Sequence, residues 1–120
     1  MANSQVTVHR DKQILIADFS HSKPEEQLVA FPEIQQEISA RPPKSVLLLT
    51  DVTGAVYNGE SARGIKEWAS KNTPFIKASA VVGATGFLAT ILAGIRLFTG
   101  RDIRAFGTRE EAMEWLVSVE

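Results

Sequence analysis

The sequence contains no cysteine. That excludes disulfides, thiolate nucleophiles and cysteine-held metals, and it suits a reducing compartment. Its two histidines, His9 and His21, stand apart without ligand spacing, so no metal site is expected. Charge of either sign is not in excess: 13 Lys/Arg face 14 Asp/Glu, for a net charge of −1. Such a chain has no general attraction to nucleic acid or to an anionic membrane. Its basic residues are not interleaved with aromatics, which argues further against nucleic-acid binding. The opening Met-Ala-Asn-Ser has no basic or apolar leader, so a cytoplasmic place is expected. No repeat, low-complexity segment or linker interrupts the 120 residues, which read as one domain over 1–120.

What the chain does have is one long uncharged run. From Ala78 to Ile95 there is no charged residue, a length at the lower limit for a membrane-spanning helix. The composition inside the run points elsewhere. Ala78–Gly83 is short and β-branched, suited to a buried strand. Gly83-Ala84-Thr85-Gly86 supplies turn residues, with Thr85 placed to cap a new helix. Phe87, Leu88, Ile91, Leu92, Ile95 and Phe98 then share one helical face. The run therefore reads as strand, turn and helix, with no transmembrane span.

The remaining elements follow in order. Gln5–His9 and Gln13–Phe19 read as a hairpin across Arg10-Asp11-Lys12. Ser22 and Glu25 have capping-box spacing, and Pro24 suits a first helical turn. Leu28, Phe31, Ile34 and Ile38 continue that helix to about Ala40, with Pro32 expected to kink or split it. Val46–Leu49 is a continuous apolar strand, buried on both faces. A helix starting at Asn58 or Ser61 turns Ile65, Trp68 and Ala69 inward, and Gly64 weakens it by about 1 kcal/mol relative to Ala. After the central run, Gly100 closes the third helix and Ile103–Phe106 forms a short strand. Thr108 and Glu111 open a last helix carrying Ala112, Trp115, Leu116 and Val119. Trp68 and Trp115 read as core. The order β-β-α-β-α-β-α-β-α implies an α/β fold: a mixed, largely parallel sheet with an N-terminal antiparallel hairpin and about four helices. Ligands of such sheets sit beyond the carboxyl ends of the strands. That rim carries Thr50, Asp51, Thr53, Tyr57, Asn58, Gly83, Thr85, Gly86 and Phe106. Asp51 has two readings there, a general base or an acceptor for its own loop.

VLLLTDVTGA, a helix, IKASAVVGATG, an apolar helix and RDIRAFGTREEAMEWL together resemble the small STAS-like domains related to bacterial anti-sigma-factor antagonists. The likeness is greatest to their uncharacterised, SpoIIAA-like branch, often described with CRAL-TRIO lipid-transfer domains, and it covers nearly the whole chain. The resemblance implies a protein–protein interaction role and, in this branch, an apolar or lipid-like ligand. It implies no known reaction and no cofactor. Antagonists of this kind carry Asp-Ser-Ser-Gly at the start of the second helix, with the second serine phosphorylated. The matching positions here read Glu60-Ser61-Ala62-Arg63, so Ala62 lacks the hydroxyl and Ser61 is the substitute, unless it merely caps the helix.

Two further surfaces invite a function. Val82–Leu88 is similar to the phosphate-binding turn of extended short-chain dehydrogenases, which would place a nucleotide at Gly83–Gly86 with Arg104 and Arg109 facing its phosphates. Ala89 stands in place of the third glycine, and no Tyr-x-x-x-Lys pair occurs. The other face of the apolar helix, with Ala89, Ala93, Gly94 and Leu97, is small enough for self-association into a homodimer or larger homo-oligomer. The expectation is thus a non-enzymatic STAS-like interaction module. It binds an apolar small molecule through Asp51, Thr53, Tyr57, Thr85, Phe87, Leu88 and Ile91, and it regulates a protein partner. A nucleotide-binding protein is the alternative.

Overall fold

The structure, a computed structural model, describes residues 2–119, and the side chains of Phe87 and Phe98 fall outside the description. Strand β1 (Asn3–His9) turns through Arg10 and Asp11, both at positive φ, into β2 (Lys12–Asp18). Helix α1 (Pro24–Ser39) leads to β3 (Val46–Asp51), and α2 (Gly59–Asn72) leads through a short 3-10 turn to β4 (Ile76–Val82). Helix α3 (Phe87–Thr99), β5 (Ile103–Phe106) and α4 (Arg109–Ser118) complete the chain. The uncharged run is therefore split between β4 and α3. Among the described residues no helix is long and apolar enough to cross a membrane.

The five strands lie in sequential order, β1-β2-β3-β4-β5, with β1 antiparallel to β2 and every other pair parallel. This order decides where the helices go. Right-handed crossovers that all step in one direction deposit their helices on one face. Accordingly α1, α2 and α3 share a core with Leu15, Ala17, Leu48 and Ile103. On the opposite face α4 alone packs Ala112 and Leu116 onto Ile14, Ile16, Leu47, Leu49 and Ala80. Both faces of β3 are thus covered, and all six of its residues are buried. Phe19 joins Phe31 and Trp68 in an aromatic cluster with ring centroids 5.3–5.9 Å apart, the edge of Phe19 meeting Trp68 at 83°.

Local chemistry moved several boundaries. Helix α1 starts at Lys23, whose N–H donates to Glu26, not at a Ser22–Glu25 box. Ser22 is buried instead, donating its hydroxyl to the Phe19 carbonyl and accepting from Gln27. Pro32 does not split α1: the helix continues through it because Phe31, Ile34 and Ile38 are buried on either side. Gly64 has a packing reason, since a Cβ there would stand 2.8 Å from the Phe31 ring. Helix α3 is capped by Gly86 (φ 53°, ψ −120°) with no side-chain cap bond, so Thr85 does not cap it. The torsions of Gly86 are closed to other residue types.

Candidate functional site

Parallel sheets offer a ligand crevice where the strand order reverses. A sequential order has no reversal, and here the rim is closed by its own loops. Asp51 leaves β3 on the α4 side, where its Oδ1 accepts from the Thr53 N–H (3.0 Å) and its Oδ2 from Arg109 Nε (2.7 Å). The same guanidinium reaches Asp18 at 3.3 Å, so one cation ties the ends of β2 and β3 to the start of α4. Burial alone would raise the Asp51 pKa. The Thr53 and Arg109 hydrogen bonds outweigh it and hold the carboxyl below its ordinary value. Asp51 is thus engaged by its own loop and Arg109.

The neighbouring turn is also shut. A Cβ on Gly83 (φ 81°) would stand 2.8 Å from the Thr53 Cα, so the loop after β3 lies directly on the turn after β4. The Gly83 N–H donates to the Phe106 carbonyl (3.3 Å) and the Leu88 N–H to that of Thr85 (3.1 Å). Arg109 is held by Asp51 and Asp18, and Arg104 lies 5.0 Å over the Trp115 ring beside Asp102. Both arginines expected to face a phosphate at the turn are thus engaged by neighbouring side chains.

An enclosed apolar space lies elsewhere, beneath α3, apart from the wider groove of about 520 Å³ that Lys66, Glu67, Ser70, Lys71, Gly94 and Ile95 form between α2 and α3. A slot of about 50 Å³ runs between that helix, α2 and the sheet. Its walls are apolar: Leu48 and Val52 on β3 and its exit, Ile65 and Trp68 on α2, Leu88, Ile91, Leu92 and Ile95 on α3. The lid is amphipathic by position, with Ile91, Leu92 and Ile95 buried and Leu97 89% exposed. Ala89, Ala93 and Gly94 share that exposed side. The helix is flanked by glycines at positive φ, Gly83 and Gly86 before it and Gly100 after it.

Polar groups line the slot at a few points only. Thr50 and Ser79 stand on its sheet side, and Arg101 reaches it from the link between α3 and β5. Arg101 Nη1 donates to the Ala69 carbonyl (2.7 Å) and Thr73 Oγ1 (3.3 Å), and Nη2 donates to Ser79 Oγ (3.0 Å). Among the described residues no carboxylate lies within ion-pairing distance of it, and its Nε has no partner. Burial pushes the Arg101 pKa down to about 10. Trp68 Nε1, on the same walls, is likewise buried without a partner.

The expected site residues therefore separate. Leu88 and Ile91 line the slot; Phe87 was expected to do so, but its side chain lies outside the description. Asp51 belongs to the α4 side, Thr53 to the loop contact over Gly83, and Thr85 to the exposed turn. Tyr57 packs against the larger core with its hydroxyl buried and unpartnered, and burial raises its pKa. Ser61 is 0% exposed and sits third in α2; its N–H donates to Asn58 Oδ1 (2.8 Å), and its Oγ accepts from the Asn58 N–H (3.0 Å). Arg101 and Ser79 are slot residues that pattern reading did not single out, and Trp68 was read only as core. The one available signal was an arginine directly after the Gly100 helix stop, ahead of a buried strand.

No protein-family model matches the chain, and no curated protein matches it. Among solved structures it is similar to an uncharacterised protein of the DUF3478 family with a SpoIIAA-like fold from Shewanella loihica PV-4. The two share 15% identity over 96% of this chain and 93% of that one, with a TM-score of 0.75. Likeness at that identity speaks for fold alone: the chain has the SpoIIAA-like α/β fold that its STAS-like sequence features imply.

Proposed function

We propose that this protein is a non-enzymatic STAS-like module that holds an apolar, lipid-like molecule beneath α3 and signals its occupancy to a protein partner. The observation that carries this reading is the apolar slot under a helix flanked by positive-φ glycines. As closed, the slot holds about 50 Å³, well short of the roughly 300–1,000 Å³ of small-molecule sites. Occupancy therefore requires α3 to lift from the sheet. Lifting it would re-aim Ala89, Ala93, Gly94 and Leu97, the surface a partner or a second copy of the chain would meet.

Mass spectrometry of the denatured, freshly purified protein tests this. An apolar species is expected to co-purify with the parent protein and to be lost from Ile91→Trp, whose indole would fill the slot. Folding of that variant is checked by circular dichroism. Absence of any such species, together with no thermal shift on adding single-chain alcohols or fatty acids, overturns the reading.

A further inference from the structure

We propose that the molecule beneath α3 is an amphiphile with a carboxylate headgroup, and that Arg101 receives that headgroup. This rests on the apolar-ligand reading above and adds the chemistry of one end. A guanidinium has five N–H donors in a rigid fork. Ala69, Thr73 and Ser79 take three of them, which fixes the plane of the group. The Nε–H and one Nη2–H are left, and the Nε–Nη2 edge is one by which arginine takes both oxygens of a carboxylate.

Among the described residues, no counter-charge stands beside Arg101. Arg101 is half-buried, and a cation drawn even partly out of water is ordinarily paired with a carboxylate. All three groups that hold Arg101 are neutral oxygens. The carboxylate next to it in sequence, Asp102, is turned to Arg104 at 3.5 Å. The second unpartnered group on the slot walls, Trp68 Nε1, is also a donor. Two unsatisfied donors, one of them cationic, at a slot walled mainly by hydrocarbon call for a ligand with an anionic acceptor at one end and an alkyl body. A neutral alcohol or sterol would leave the cation unpaired. A nucleotide would bring polar groups against Ile91, Leu92 and Ile95.

Decanoate and 1-decanol share an alkyl chain and differ in the headgroup, so their ratio of affinities isolates Arg101. Binding is read from Trp68 fluorescence at neutral pH in a Trp115→Phe background, Trp115 lying on the other face of the sheet. Decanoate should bind at least about tenfold more tightly than decanol, the scale of one charge-assisted hydrogen-bonded contact. Arg101→Met should bring the two to equal affinity, and Arg101→Lys should restore part of the difference. Equal affinities in the Arg101 protein overturn the headgroup assignment and leave the apolar-ligand reading standing. No response to either compound overturns both. The parent ratio is decisive by itself if Arg101→Met does not fold.

Discussion

Arg109 is the side chain on which the rim depends. It satisfies Asp51, almost wholly buried, and Asp18 together, across separations no local pattern reports. Replacing it with methionine keeps the aliphatic stem and removes the cation. Asp51 then keeps only its contacts to Thr53, and burial weighs more heavily on its carboxyl. The expected loss at neutral pH is about 1–3 kcal/mol by urea denaturation. The pH dependence has a definite sign. A carboxyl whose folded pKa is depressed contributes stability that is present above its unfolded value, here the ordinary 3.8, and that is lost as pH falls through the folded value. In Arg109→Met the folded pKa rises, so acid unfolding should begin at a higher pH than in the parent. Superimposable acid limbs would show that the pair contributes nothing.

Among the elements, α1 carries the clearest unfavourable feature. Pro32 lies inside a 16-residue helix, exposed to solvent, and deprives the Leu28 carbonyl of its helical donor. Pro32→Ala should therefore stabilise the fold by about 1–3 kcal/mol, seen as a higher urea midpoint with an unchanged slope. A lower midpoint would mean that the proline bend is needed to seat Ile34 and Ile38. The same helix shows what sequence pattern conveys and what it does not. The i, i+3, i+6, i+10 spacing of Leu28, Phe31, Ile34 and Ile38 gave its existence and inward face, and the strand–turn–helix content of 78–98 separated β4 from α3. Those signals are local, and they were enough for element order and sheet type. The caps at Asn58 and Thr108 were legible, but that of α1 was not: Ser22 is drawn inward by Phe19 and Gln27, so the cap passes to Lys23. Candidate rim residues were legible as a rim. Its closure was not, because it depends on Arg109 meeting Asp51 and on Thr53 meeting Gly83. Arg101 was hidden for the same reason, its partners lying 22 to 32 residues away.

At the scale of the molecule, stability is unevenly spread. Strand β3 is buried on both faces, hydrogen-bonded on both edges and enclosed by all four helices' cores. Helix α3 covers the sheet end near β4 and β5 with one apolar stripe above a partly empty slot, and its other side meets solvent. Slot walls that lack neighbours forfeit dispersion contacts, so lifting α3 sacrifices less packing than lifting a close-packed helix. Regions with few buried contacts open below the global unfolding energy. Native-state hydrogen exchange should accordingly find the amides of residues 88–98 exchanging through a local opening, while those of β3 exchange only on global unfolding. Decanoate should slow the first group and leave the second unchanged. If α3 is instead protected to the same degree as β3, the slot stays at about 50 Å³ in solution, too small for any alkyl chain, and a ligand must be sought outside the core.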